Sequence, residues 1–161
     1  MPATLRCFKR FSSRKTPKRN LEMILEGRTS RNPIYDCFMS RIFLLIGSVA
    51  AAIAVAAGAF GAHGLEGRVP PNRIDTFETG VTYHMYHALA ILVVAWASSQ
   101  FAAPAVSYAG YCFVVGILIF SGSLYLLVLT DTSWLGAITP IGGVAFIAGW
   151  LLLAYGVWSS T

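Results

Sequence analysis

The chain has 161 residues, of which 56% are hydrophobic and only 12% are charged, and its mean hydropathy is +0.64. About a quarter of the residues of a soluble domain are charged, so this composition excludes an ordinary soluble domain. The formal charge of +5 is unevenly placed: residues 1–38 hold nine basic and three acidic residues, and the remainder holds three and four. No basic surface with interleaved aromatic residues follows residue 38, so nucleic acid is not an expected partner.

The segment 1–38 is basic, contains serine and has no acidic residue before Glu22. This composition resembles an organelle transit peptide, which is one interpretation. A real disordered cytoplasmic tail is a second, and a start at Met39, directly before the first apolar run, is a third that the pattern favours. We therefore interpret residues 1–38 as an N-terminal extension that is disordered or not translated, and residues 39–161 as a transmembrane domain.

The first apolar run, residues 42–62, contains no charged residue. It is long enough to cross the hydrocarbon core, which takes about 20 residues of helix. A secretory signal is the alternative, but the apolar region of a signal has only about 7–15 residues. Small residues recur at every fourth position and would let a second helix approach closely in lipid. The sequence therefore predicts a retained span with a packing face made of Ala50, Ala54, Gly58 and Ala62.

A loop rich in glycine and proline separates this run from the second span, which we place at residues 81–99. Asn72 stands directly after Pro71 and is a residue type preferred at helix N-caps. The pattern therefore predicts a helix that begins near Arg73 and enters the membrane at about Val81.

The second span carries histidines on one side. At 100° per residue, Gly80, Tyr83 and His87 lie within about 60° of one another, and His84 lies about 60° from His87. Glu78 lies about 180° from His87, so these two residues cannot form a pair on the same helix. Counted from Val81, His87 is about 9 Å inside the span, near one interface. A neutral imidazole at that position needs hydrogen-bond partners or a metal.

Three histidines are candidates for a metal or haem site. His63 follows the first span, while His84 and His87 begin the second, so antiparallel packing predicts that all three converge at one membrane face. Hydrogen bonding to neighbouring helices is the interpretation that the residue types favour over a ligand set. We therefore predict no cofactor and name His63, His84 and His87 as the residues to examine.

The third span is predicted at residues 105–129. Ser121 and Tyr125 are four residues apart, so they share a helix face, and their hydroxyls can bond to neighbouring helices or to a backbone carbonyl. Cys112 lies in an apolar run and is expected to be a small buried side chain. The three cysteines are scattered along the chain, with no spacing typical of a zinc site or a disulfide framework.

The fourth span is predicted at residues 138–158. Thr139 followed by Pro140 is a typical helix start, with threonine at the N-cap and proline at the first helical position. Three glycines recur every seven residues, a spacing that favours a left-handed helix contact, and two tryptophans flank the run as interfacial anchors. These residues are Gly142, Gly149 and Gly156, with Trp134 and Trp158 at the two ends.

The fold class is therefore an all-α integral membrane protein, a bundle of four antiparallel transmembrane helices with both termini on one side. Lys and Arg near span ends orient membrane proteins. Ten basic residues precede the first span when residues 1–38 are counted, whereas the first loop holds only Arg68 and Arg73. We therefore expect the N- and C-termini to be cytoplasmic when residues 1–38 are present. Without them, Arg41 alone stands against Arg68 and Arg73, and the orientation signal nearly vanishes.

Four short motifs resemble those of one known family. They are Gly-Ala-Phe-Gly-Ala-His at 58–63, Thr-Gly with Tyr and His at 79–87, Phe-Ser-Gly-Ser-Leu-Tyr at 120–125 and Thr-Pro-Ile-Gly-Gly at 139–143. In this order they resemble the YgdD-like family of small four-span membrane proteins, a domain of unknown function with bacterial members and animal relatives. The resemblance covers residues 39 to about 158, implies a bacterial inner membrane and supplies no established activity. The motif residues are Gly58, Phe60, Gly61, His63, Gly80, Tyr83, His87, Ser121, Gly122, Ser123, Tyr125, Thr139, Pro140, Gly142 and Gly143.

The residues available for chemistry make an enzyme an unfavoured interpretation. Every carboxylate after residue 38 lies in a loop or at the end of a span, so no carboxylate pair for acid–base catalysis is expected inside the bilayer. A small transporter or channel is the alternative, although ion-coupled transporters normally carry more intramembrane ionisable residues. We predict a non-enzymatic structural or accessory membrane protein, whose partners are the lipid bilayer and either another membrane protein or further copies of itself.

Overall fold

The computed structural model describes residues 33–101 and 103–160, and their side chains from residue 38 onward. Four helical segments in this part of the chain are long and apolar enough to span a membrane: Phe38–Gly64, Pro71–Gln100, Pro104–Thr130 and Ser133–Trp158. Regular structure in the described ranges is entirely helical. The predicted fold class, a bundle of four transmembrane helices, is therefore confirmed.

The first two helices are longer than the apolar runs that predict them. The helices are α1 (Pro33–Gly64), α2 (Pro71–Gln100), α3 (Pro104–Gly116), α4 (Gly122–Thr130) and α5 (Thr139–Trp158). Since α1 begins at Pro33, the end of the predicted extension is helical, and residues 1–32 lie outside the described residues.

A π-helical turn, Ile117–Ser121, joins α3 to α4 within the third span, and a 3₁₀ turn, Ser133–Ala137, leads into α5. The sequence pattern does not predict the π turn. Such turns hold one residue more than an α-helical turn and change the phase of the helix.

Two predicted helix starts are wrong in detail. The helix α2 begins at Pro71 with Pro70 in extended conformation at the N-cap, so Asn72 is already helical. Proline is well suited to this first turn, because its missing N–H would have had no helical partner. Thr139 is the first residue of α5 rather than its N-cap, since the preceding 3₁₀ turn leaves Ile138 in helical conformation.

Small residues of α1 allow it to pack closely on α2. A Cβ added at Gly47 would meet Leu92, one at Gly58 would meet Val81, and one at Gly61 would meet Phe77. The partner numbers fall as the α1 numbers rise, so the two helices run antiparallel.

The predicted packing face of α1 is confirmed at its centre but is wrong at its C-terminal end. Ala54 is fully buried and Ala50 and Gly58 are half-buried, whereas Ala62 is exposed and Gly61 takes its place in the contact. Each step of four residues advances by about 40° around a helix, so Ala62 lies about 120° from Ala50. The contact with α2 therefore continues at Gly61, three residues after Gly58, instead of at Ala62.

The predicted seven-residue glycine repeat of α5 is confirmed as a helix contact. Added Cβ atoms at Gly142, Gly149 and Gly156 would collide with three residues of the third span that are themselves seven apart. These residues are Phe120, Phe113 and Val106, in that order. Side chains of one helix thus fill the glycine gaps of the other along an antiparallel seam.

The second and third spans form the interior of the bundle. In their most apolar stretches 50% and 44% of residues are buried, compared with 17% and 22% in the first and fourth spans. The helix α1 packs mainly on α2, and α5 packs mainly on α3 and the π turn. The exposed surface is rich in large apolar residues such as Leu45, Leu118 and Ile147, which suits contact with lipid tails.

The first and third loops lie at the same end of the bundle and are joined by polar contacts. Arg73, at the start of α2, donates from Nη2 to Asp131 Oδ1 at 2.5 Å and to Ser133 Oγ at 3.2 Å. Asp131 follows α4 in left-handed conformation, with φ of 51°. Four alternating spans place the start of α1 and the end of α5 at the other end of the bundle.

Candidate functional site

His87 lies in the middle of the bundle. It stands 16 residues after the first residue of α2 and 13 before the last, so its predicted position near one interface is wrong. The error arises because α2 begins ten residues earlier than the apolar run at Val81. His87 is 5% exposed and is therefore a buried polar side chain near the middle of the second helix.

Two hydrogen bonds define the protonation of this imidazole. Nδ1 donates to the backbone oxygen of Tyr83 at 2.7 Å, since a carbonyl oxygen can only accept. Nε2 is then an acceptor, and it receives the indole N–H of Trp150 at 3.4 Å. This network assigns His87 as a neutral imidazole whose two nitrogens are both engaged by the protein.

Aromatic rings enclose the same side chain. The ring of Phe146 stacks on the imidazole with 3.4 Å between centroids and 6° between planes, and the ring of Phe113 lies 5.6 Å away. Phe146 can come this close because Gly116 leaves room for its ring. His87 therefore joins α2, α3 and α5 in one contact.

His84 lies one turn nearer to the loop end of α2 and has a different partner. Its Nδ1 is 3.2 Å from the hydroxyl of Tyr125 in α4. A Cβ at Gly80 would be 3.0 Å from the Tyr125 ring, so this glycine gives the tyrosine its place against α2. The ring of Phe77 packs on the ring of Tyr125, with the two centroids 4.7 Å apart.

Ser121 and Ser123 of the third span differ in their hydrogen bonds. Ser123 Oγ is 2.8 Å from the hydroxyl of Thr139 in α5 and donates to the backbone oxygen of Phe120 at 2.9 Å. Ser121 is 1% exposed, and its Oγ has no hydrogen-bond partner among the described residues. The predicted bonding to a neighbouring helix is thus confirmed for Tyr125 but not for Ser121, which ends the π turn, and the bond of Ser123 to α5 was not predicted.

The three histidines do not assemble a ligand set. His63 is exposed at the end of α1, whereas His84 and His87 are buried and bonded to different helices. Within the described ranges, no group of three His, Cys, Asp or Glu side chains is placed to hold a metal ion. The convergence predicted from the loop connection is therefore not found. Cys112, expected to be buried, is half-buried and unpaired.

Sequence reasoning missed the residues that surround His87. Phe113, Phe146 and Trp150 look like ordinary apolar residues of their spans. The available signal was the matching seven-residue spacing of Phe113 and Phe120 with Gly149 and Gly142, which sets the antiparallel register of α3 and α5. In this register, Phe146 and Trp150 face the centre of α2.

Comparison with known proteins supports the resemblance drawn from the motifs. The family model described as "Protein of unknown function (DUF423)" matches residues 57–143, which include all four motifs. The "UPF0382 membrane protein YwdK" of Bacillus subtilis is 49% identical over 114 residues, covering 70% of this chain and 93% of the relative. The "UPF0382 membrane protein SAB0533" of Staphylococcus aureus is 47% identical over 113 residues, covering 70% and 92%.

No solved structure matches this chain. The relatives are named membrane proteins, in agreement with the four spans described above. Because the family model covers more than half of the chain and the relatives match over nearly their whole length, the chain belongs to the DUF423 family of membrane proteins of unknown function.

Proposed function

We propose that this protein is a non-enzymatic accessory membrane protein, a rigid helical module that associates with another membrane protein. One observation carries the proposal: most of the polar side chains buried in the spans are used to bind one helix to another. His84 bonds to Tyr125, His87 to Trp150, and Ser123 to Thr139. Interhelical hydrogen bonds of this kind stabilise helix association in membranes.

The position of the carboxylates supports the non-enzymatic part of the proposal. The described carboxylates are all exposed, and they lie at the end of the bundle that holds the first and third loops. They are Glu66, Asp75, Glu78 and Asp131. The buried histidines have no carboxylate beside them in the described part of the chain, and both nitrogens of His87 are engaged. General acid–base catalysis needs a group that can reach a substrate, and this arrangement supplies none in the core.

The outward side of α1 supports association with a partner. Its exposed residues include Ser48, Ala52, Ala56 and Ala59, which lie within about 80° of one another on the helix. Small side chains allow two helix backbones to approach closely in lipid. The expected partner is a transmembrane helix of a second protein.

Photo-crosslinking in the native membrane tests this proposal. A benzophenone amino acid at Ala52, on the outward side of α1, should give one discrete adduct with another membrane protein. The same group at Ile147, exposed on α5, is the matched control and should give no discrete adduct. Identical patterns from both positions, or no protein adduct from Ala52, would contradict the proposal.

A small transporter is the second candidate, favoured by one specific observation. The π turn places the unpartnered hydroxyl of Ser121 inside the third span, and π turns occur often at functional sites. Solute or proton flux into liposomes that contain the purified protein tests this candidate. Flux that is lost in Ser121→Ala would favour transport over the accessory role.

We further propose the bacterial cytoplasmic membrane as the location, with both termini inside. The named relatives are bacterial membrane proteins. When residues 1–38 are counted, ten Lys and Arg residues precede the first span and only Arg68 and Arg73 follow it in the first loop and the start of α2, and basic residues favour the cytoplasmic side.

A further inference from the structure

A cleft lies at the contact between α1 and α2, nearer to the first loop than His87 and the aromatic rings around it. It has a volume of about 240 Å³ and is lined by Gly58 and Gly61 of α1 and by four residues of α2, Phe77, Glu78, Val81 and Thr82. The two glycines lie at its floor, where α1 and α2 pack closely: a Cβ at Gly58 would be 3.3 Å from Val81 and one at Gly61 would be 3.0 Å from the Phe77 ring. Gly61 lies three residues before the end of α1, so the cleft is about 5 Å below the helix end.

Glu78 gives this cleft a negative charge that the described residues do not balance. The described basic side chains are His63, Arg41, Arg68 and Arg73, and none forms an ion pair with Glu78. Arg73 is engaged by Asp131 and Ser133, and Arg41 is at the opposite end of α1. An ionised carboxylate at the edge of the hydrocarbon region is costly unless it meets a cation or water.

The dimensions of the cleft restrict what can fill it. Its volume is below the roughly 300–1,000 Å³ of pockets that enclose a drug-sized molecule, so it would hold only the polar end of a larger ligand. Along α1 it extends for only one helical turn, from Gly58 to Gly61. This is too short for a packing contact with another transmembrane helix. The surface next to it toward the membrane centre is apolar: Val55 of α1 and Leu89 of α2 are exposed, about 60° from Gly58 and about 20° from Glu78 around their helices.

We propose that this cleft binds a phospholipid with a primary-amine headgroup, a phosphatidylethanolamine. The ammonium group donates hydrogen bonds to the carboxylate of Glu78, and the hydroxyl of Thr82 is a second acceptor at the cleft. The glycines admit the headgroup, and the acyl chains lie along the apolar surface of the helix pair. Charge-assisted hydrogen bonds of this kind are stronger than neutral ones.

Native mass spectrometry of the purified full chain tests the proposal. The probes are dioleoyl phosphatidylethanolamine, phosphatidylcholine and phosphatidylglycerol, each added separately at equal concentration. We expect phosphatidylethanolamine to be retained best, because the choline headgroup has no N–H donor and the glycerol headgroup is anionic overall. Replacing Glu78 by Gln should reduce that retention by about tenfold, since it removes one charged hydrogen bond.

Glu66→Gln is the matched control, because Glu66 is an exposed acid of the same membrane face that does not line the cleft. It should leave retention of phosphatidylethanolamine unchanged. Glu78→Lys reverses the charge of the cleft and should make the chain retain phosphatidylglycerol best. Because this is a gain of binding, an unfolded variant would not show it. Equal retention of the three lipids by the native chain, or equal retention of phosphatidylethanolamine by the native chain and Glu78→Gln, would overturn the proposal.

Discussion

At the scale of single residues, the buried polar side chains differ in how well their hydrogen bonds are satisfied. In lipid the alternative to a protein partner is hydrocarbon, so each unsatisfied group is costly. His87 has partners for both ring nitrogens, while the Ser121 hydroxyl has none among the described residues. The contributions of these side chains to stability should differ accordingly.

Ser121 and Ser123 form a matched pair for this difference. Ser123→Ala removes the bond to Thr139 and should cost roughly 0.5–1.5 kcal/mol of unfolding free energy, the range for interhelical bonds in membranes. Ser121→Ala removes a hydroxyl without a partner, so it should be neutral or stabilising. Unfolding of both variants by titration with a denaturing detergent compares them. A larger loss for Ser121→Ala would show that its hydroxyl has a partner.

Alanine substitutions at His87 and His63 separate packing from ligand binding. His87→Ala removes a ring stacked on Phe146 and should cost about 2–4 kcal/mol, as for other large buried side chains. His63→Ala changes an exposed side chain and should cost less than about 0.5 kcal/mol. Thermal unfolding in mild detergent, with metal content measured on the same samples, checks both. Metal that co-purifies with the native chain and is lost in both variants would contradict this assignment.

At the scale of helices, close contacts at Gly142, Gly149 and Gly156 determine the packing of the fourth span on the third. The seam is built from residues seven apart on both sides, which makes it continuous along α5. Hydrophobic burial contributes little to helix association in lipid, so close packing of this kind supplies much of the stability.

Gly149 and Gly143 test this seam. A Cβ at Gly149 would be 2.6 Å from the Phe113 ring, so Gly149→Ala should destabilise by about 1–3 kcal/mol through overpacking. At Gly143 the nearest atom is 3.9 Å away, so Gly143→Ala should be neutral or stabilise by up to about 1 kcal/mol, since alanine favours helix. Melting temperatures in one detergent compare the two. Equal destabilisation would contradict the seam.

At the scale of the whole molecule, four alternating spans place the first and third loops on one membrane side and the ends of α1 and α5 on the other. The Arg73–Asp131 pair joins the two loops on their side. The basic residues near the start of α1 favour a cytoplasmic position for that end.

Cysteine labelling in intact cells tests this orientation. In a chain with Cys7, Cys37 and Cys112 replaced by Ser, a cysteine at Ser133 in the third loop should react with a membrane-impermeant maleimide added from outside. A cysteine at Ser160, after α5, should react only after the cells are opened, because we propose that this end faces the cytoplasm. The reverse pattern would show that the termini face outward.

The sequence by itself determined the fold class, the number of spans and the family. Long uncharged runs have few alternatives to spanning helices, because backbone groups in lipid must bond within their own segment. The spacing of Gly142, Gly149 and Gly156 also predicted a helix seam correctly, since regular spacing along a helix defines a face. These are local properties of one segment, which can be read from that segment alone.

Only the tertiary structure decided the partners of the polar residues. The π turn at Ile117–Ser121 shifts the phase of the third span, and the early start of α2 places His87 in the middle of that helix. Pairings such as His87 with Trp150 depend on the register between helices far apart in sequence. That register results from the fit of side chains on both surfaces, so no single segment contains it.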